Sequence, residues 1–135
     1  ITVICLVGFS TVTDYAGMIT VIAGGLAAAT GSLYPLFAPL VGGIGTFITG
    51  SDTSANILFG KMQSTVAGHI NVSPEWLAAS NSVGATGGKI ISPQSIAIAT
   101  SACSLQGKEG EILKKSMPWA ILYIVISGLM VYFLV

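Results

Sequence analysis

Charge is too scarce in this chain to cover the surface of a water-soluble fold. Only 7% of the side chains are charged and 53% are hydrophobic, whereas about 25% charged residues is usual in soluble domains. Five lysines balance five acidic residues and arginine is absent, so there is no basic face for nucleic acid. The 17 glycines, together with Ala, Ser and Thr, supply the small side chains that let membrane helices approach closely. The expected fold class is therefore an all-α integral membrane protein, built as a polytopic helical bundle in contact with the lipid bilayer.

Hydrophobic run lengths divide the chain, because a helix rising 1.5 Å per residue needs about 20 residues to cross a hydrocarbon core of about 30 Å. Ile1 to Phe9 is an apolar run already under way, with no basic region or cleavage site, so it is not a signal peptide and the chain reads as a fragment of a longer membrane protein. Residues 1–35 are expected to hold a membrane helix end and a short Gly- and Ala-rich helix, Ala16 to Thr30, that either spans or lies at the interface. Cys5 and Cys103, both in apolar stretches, are expected as small buried hydrophobes and not as a disulfide.

Residues 36–68 form two apolar arms of about 15 residues, each about 22 Å long as a helix and too short to span. They flank the polar run Thr49-Gly50-Ser51-Asp52-Thr53-Ser54-Ala55-Asn56, which reads as the tip of a re-entrant helical hairpin; a water-facing loop between two ordinary helices is the alternative. Non-helical backbone at membrane depth is tolerated only where protein buries it or where it lines a cavity. After a loop at 69–76, residues 77–105 are uncharged except for Lys89 and are interrupted by Gly84, Gly87, Gly88 and Pro93. They read as a discontinuous transmembrane helix. Residues 106–117 carry Lys108, Lys114 and Lys115, so this loop is expected on the cytoplasmic side and loop 69–76 outside. A terminal transmembrane helix is expected over 118–135, with Pro118 in its first turn.

Polar groups inside apolar segments are costly enough to point to function. At the hairpin tip, Ser51, Asp52, Thr53 and Ser54 are all suitable caps for the second arm. In the broken helix, Ser92 can cap a second half-helix that begins at Pro93, beside Lys89 and Gln94. Two half-helix N-termini at depth favour a small anion such as a carboxylate. Lys89 adds a positive charge, and Asn56 and Asn81 can donate to an oxyanion or a hydroxyl. Asp52 can carry a proton. Asp52 and Lys89 can equally form a buried structural ion pair.

Patterns that suggest enzymes fail on spacing. Gly87-Gly88-Lys89 is followed by Ile90 instead of Ser or Thr, which rules out a phosphate-binding loop, and Gly43-Ile44-Gly45 lacks the third glycine of a dinucleotide site. His69 is expected to be solvated, with no metal ligand set near it in sequence. Trp76 and Trp119 fit an interfacial aromatic belt, and Gly24-Gly25, Gly84 and Gly88 read as helix-packing positions. No cofactor is expected.

The stretch Gly45 to Asn56, continuing through Leu58-Phe59-Gly60 to Gln63, resembles the L-lactate permease family. So do Ala79-Ser80-Asn81-Ser82, the run Gly87 to Ala97, and Gly107-Lys108-Glu109. Ser80, where Ala is usual, and Ala85-Thr86, where Gly-Val is usual, are mild departures. The resemblance implies a symporter for lactate, glycolate and related 2-hydroxy acids with protons, in the bacterial inner membrane. It also implies kinship with a wider ion-transporter superfamily in which an elevator-like domain carries re-entrant hairpins and broken helices. The N-terminal half of such a transporter would be missing from this chain. A sodium-coupled carboxylate carrier and an inactive membrane remnant are the alternatives, and a homo-oligomer is compatible with the sequence.

The orientation is checked by thiol labelling. A cysteine at Gln106 is expected to react only from the cytoplasmic side and one at Asn71 only from outside. The opposite pattern would invert the topology.

Overall fold

The computed structural model describes residues 2–134, and every regular element among them is a helix. Helix α1 spans Thr2–Tyr15 and α2 Met18–Thr30, the latter leading through a 3-10 turn at Gly31–Leu33 into α3, Tyr34–Thr49. Helix α4 covers Asp52–Ile70, α5 Pro74–Ile91, α6 Pro93–Ala102 and α7 Glu109–Leu134. Two stretches are long and apolar enough to cross a membrane, Met18–Thr49 and Glu109–Leu134.

Glycine places α3 against α5. A Cβ on Gly84 would strike the backbone of Pro39, one on Gly88 the backbone of Gly43, and one on Gly42 the backbone of Asn81. Contacts 39 to 84 and 43 to 88 advance in step along both helices, so α3 and α5 run parallel, in the close backbone approach that small residues at four-residue spacing permit. Helix α4 returns against both of them, with Phe59 and Ala55 resting on Gly45. Helix α7 seats Ile124 on Gly43 and Gly87, and its Gly128 lies on the backbone of Leu36. An apolar core of Ile19, Tyr34, Ala38, Met62, Val66, Leu77 and Val131 joins α2 to α5 and α7.

Several boundaries differ from those expected. The hairpin arms are 16 and 19 residues long, and the second, at about 28 Å, is close to crossing length, so shortness alone does not make the pair re-entrant. The loop expected over 69–76 shrinks to residues 71–73, because Pro74 opens α5 and Glu75 lies in its first turn, where an acidic side chain suits the helix dipole. At the other end, Glu109 and Glu111 start α7 well before Pro118, which lies inside the helix. Neighbouring helices and local adjustment re-satisfy the carbonyl that a proline leaves free in a membrane helix. Lys114 and Lys115 are thus on α7 and not in a loop.

Cys5 and Cys103 are free and exposed, not buried. Trp76 and Trp119 are exposed, and His69 is exposed in the last turn of α4. A Cβ added to Gly24 or Gly25 would meet nothing within 4 Å, so these two glycines pack against no neighbour among the described residues, unlike Gly84 and Gly88.

This packing gives a graded expectation. Gly84→Ala forces a methyl into the Pro39 backbone and is expected to lose roughly 1 to 3 kcal/mol or more through overpacking, seen as reduced insertion and a lower melting temperature in detergent. Gly24→Ala is expected to match the unchanged protein. Equal stability of the two variants would contradict the α3–α5 contact.

Candidate functional site

Because α3 and α5 are parallel and α4 and α6 each follow after a break, four helix ends meet at one level. Helix α3 ends at Gly50, whose φ of 69° is left-handed and whose N–H bonds back to the Thr46 carbonyl at 2.7 Å. Glycine is the residue that adopts this C-terminal conformation at little cost. Ser51 is extended and caps α4, its hydroxyl accepting from the Ser54 N–H at 3.3 Å. Ser92 is extended in the same way between α5 and α6, its hydroxyl accepting from the Ser95 N–H at 3.2 Å, and it is fully buried. Pro93 is the first residue of α6.

Two side chains tie the breaks together. The Lys89 ammonium, from the last turn of α5, donates to the Gly50 carbonyl at 2.6 Å. The Gln94 side chain packs directly on Gly50, where any Cβ would collide with it. Lys89 thus supplies positive charge where two helix C-termini, α3 and α5, present negative dipole ends. Asp52 opens α4, where a carboxylate suits the positive end.

Asp52 and Lys89 form no ion pair; among the described residues the ion pair present is Lys61 with Asp14 at 3.3 Å, between α4 and α1. One carboxylate oxygen of Asp52, and the hydroxyl of the fully buried Thr46, are buried without a hydrogen-bond partner. Thr53 is exposed and Ser54 buried. A cleft of about 450 Å³ opens beside the junction, lined by Thr86, Lys89, Ser95, Ile96, Ala99 and Ser116 among others.

Asn56 and Asn81 belong to a second polar cluster along the hairpin. Asn81 donates to the Asn56 carbonyl oxygen at 2.8 Å, and Ser82 donates to the same oxygen at 3.1 Å. Gln63, fully buried, donates to Asn81 at 3.3 Å and to the Ala38 carbonyl at 3.0 Å, and it accepts from the Tyr34 hydroxyl at 2.8 Å. Sequence reasoning does not single out Tyr34, Gln63 or Ser82 as site residues. Gln63 follows Asn56 by seven positions, two turns along one face of α4; that spacing is the available signal. Tyr34 gives none, because a tyrosine beside a turn reads equally well as an interfacial anchor.

Helix breaks that meet among apolar helices, with capped N-termini, a bridging lysine and an unpartnered carboxylate oxygen, put the chain in the class of all-helical proteins with segments able to cross a membrane. More particularly, the chain belongs to the L-lactate permease family, whose model matches residues 1–135. It is similar to the glycolate permease GlcA of Escherichia coli (strain K12), 44% identical over 124 residues, 92% of this chain and 22% of that protein. It is also similar to the L-lactate permease of Bacillus subtilis (strain 168), 46% identical over 114 residues, 84% of this chain and 20% of that protein. The L-lactate permease of Streptococcus iniae is 53% identical over 79 residues, 58% of this chain and 17% of that protein. The chain thus spans about a fifth of the length of the curated relatives it matches. No solved structure matches it.

Proposed function

We propose that this chain supplies part of the substrate site of a secondary carrier that moves lactate and related 2-hydroxy monocarboxylates, such as glycolate, together with protons across the bacterial inner membrane. The observation that carries the reading is the meeting of the Gly50-Ser51 turn with the Ser92 break through Lys89 and Gln94. The substrate class comes from the relatives, which are named as glycolate and L-lactate permeases.

Length supports the depth of the junction. Helices α5 and α6 have 18 and 10 residues and together run about 42 Å, close to the roughly 40 to 45 Å of a bilayer with its headgroup layers. One broken crossing then accounts for both, and Ser92 lies inside the membrane about 15 Å from the Lys108 end. The hairpin α3–α4, whose turn touches that break, is re-entrant from the outside, and its tip lies about two-thirds of the way across. The multi-pass topology and the cytoplasmic placement of Lys108, Lys114 and Lys115 belong to the same reading.

In this reading the carboxylate sits at the N-termini of α4 and α6, where Ser51, Thr53, Ser54 and Gln94 offer donors, Ser92 caps α6 while its own hydroxyl donates to that of Ser95 at 2.8 Å, and the dipoles favour negative charge. Lys89 is within reach of the same anion. Asp52 carries the coupled proton, because one of its oxygens is buried without a donor. Sodium coupling is disfavoured by Lys89 itself: helix C-terminal carbonyls are where a transported cation would bind, and the ammonium already occupies that of Gly50.

Uptake by the intact transporter in vesicles tests this reading. Lys89→Gln is expected to raise KM for L-lactate roughly tenfold to hundredfold, the loss of one charge-assisted contact of about 1.5 to 3 kcal/mol. Asp52→Asn is expected to abolish uphill uptake driven by a pH gradient while sparing lactate counterflow. Recovery of pH-driven uptake in the Asp52→Asn, Lys89→Gln double variant would remove both residues from these roles, and uptake that follows a sodium gradient would replace the proton.

A further inference from the structure

The amides behind the junction form a chain whose direction is fixed at one end. An amide side chain has one accepting oxygen and one donating nitrogen, so each contact constrains the next. The Ala38 backbone carbonyl can only accept. Gln63 must therefore turn its NH₂ toward it, at 3.0 Å, which leaves its oxygen to the Tyr34 hydroxyl at 2.8 Å. The second N–H of Gln63 then faces Asn81, which must accept with its oxygen at 3.3 Å and so turns its own NH₂ to Asn56. Asn56 accepts with its oxygen, from Asn81 at 2.8 Å and from Ser82 at 3.1 Å. Both donors of Asn56, a half-buried residue next to exposed Ser82, are left over, with no protein acceptor among the described residues.

We propose that Gln63 and Asn81 are positioning residues that lock the Asn56 amide with its NH₂ toward the substrate, so that this position offers donors only and selects an oxyanion or hydroxyl oxygen. The selection is for an accepting group: a ligand that presents an N–H or O–H donor there meets another donor, and one of the two is left unpaired. On α4 the relay runs from Asn56, about one turn from the tip, to Gln63, about three turns from it, in a part of the hairpin that packs against α5, so Gln63 and Asn81 couple the α3–α4–α5 packing to recognition without touching the ligand. Tyr34 lies outside the relay, because its hydroxyl only follows the orientation that Ala38 imposes. The inference rests on the reading of the junction as the carboxylate site.

The test is the KM for L-lactate uptake by the intact transporter, with inserted protein quantified in parallel. Asn56→Ala, which removes the donors, is expected to raise KM by roughly tenfold or more. Gln63→Glu reverses the relay at nearly constant shape. A neutral buried carboxyl has one proton, which goes to the Ala38 carbonyl; Asn81 must then donate to the acid, and Asn56 to Asn81, which turns an oxygen toward the substrate. Its KM is expected to rise as in Asn56→Ala, with maximal rate per inserted protein close to unchanged. Tyr34→Phe is expected to keep the normal KM even where it lowers thermal stability.

A normal KM in Asn56→Ala would remove Asn56 from the site and the relay with it. A raised KM in Asn56→Ala with a normal one in Gln63→Glu would overturn the relay alone and leave the site standing. Should Gln63→Glu fail to insert, Tyr34→Phe decides: a KM raised to the level of Asn56→Ala would show that Ala38 does not set the direction. Absence of lactate uptake by the unaltered protein would instead refute the proposed function.

Discussion

The architecture depends on one contact, the approach of α3 to α5 through glycine. Gly84 on Pro39 and Gly88 on Gly43 leave no room for a Cβ between the backbones, and their common four-residue step makes the two helices parallel. Between membrane helices there is no hydrophobic force to exploit, because lipid is as apolar as leucine, and close van der Waals packing takes its place. Once α3 and α5 are parallel and in register, both end at the same level. The next helix of each then has to begin there. The polar junction follows from the glycine register and would be lost with it.

Four helix ends at one level create a field that separates charge. Two C-termini carry partial negative charge and are met by Lys89; two N-termini carry partial positive charge and are capped by Ser51 and Ser92, with Asp52 alongside. Each formal charge therefore has a helix end as its counterpart, and the Asp52–Lys89 ion pair is not formed. This division leaves the N-terminal side open to an anion. Lys89 itself is exposed at the edge of the open cleft, with its ammonium donating to the Gly50 carbonyl.

Much of this was legible in the sequence where local chemistry acts alone. Ser92-Pro93 reads directly as a cap followed by a first helical residue, and the structure has the cap bond in place. Ser51, flanked by Gly50 and Asp52, marks the other break equally well. What failed were features set by tertiary context. Pro118 reads as a helix start but is carried inside α7, because Glu109 and Glu111 begin the helix earlier. The Gly50 carbonyl that the Lys89 ammonium meets is a backbone atom no pattern exposes. The Tyr34–Gln63–Asn81 chain was hidden because its members are separated by 29 and 18 residues and meet only when three helices pack.

A carboxylate bound at the junction of the hairpin turn with the α5–α6 break, as proposed, would shield the residues around it. The most direct measurement is substrate protection of a single cysteine at Thr53, exposed one residue into α4 beside the capped turn, against a small charged thiol reagent. Saturating L-lactate should slow labelling of Thr53→Cys severalfold and leave the rate at Gly25→Cys, on the outer face of α2, unchanged. An identical labelling rate at Thr53→Cys with and without lactate, in protein shown to transport it, would place the substrate elsewhere and contradict the account.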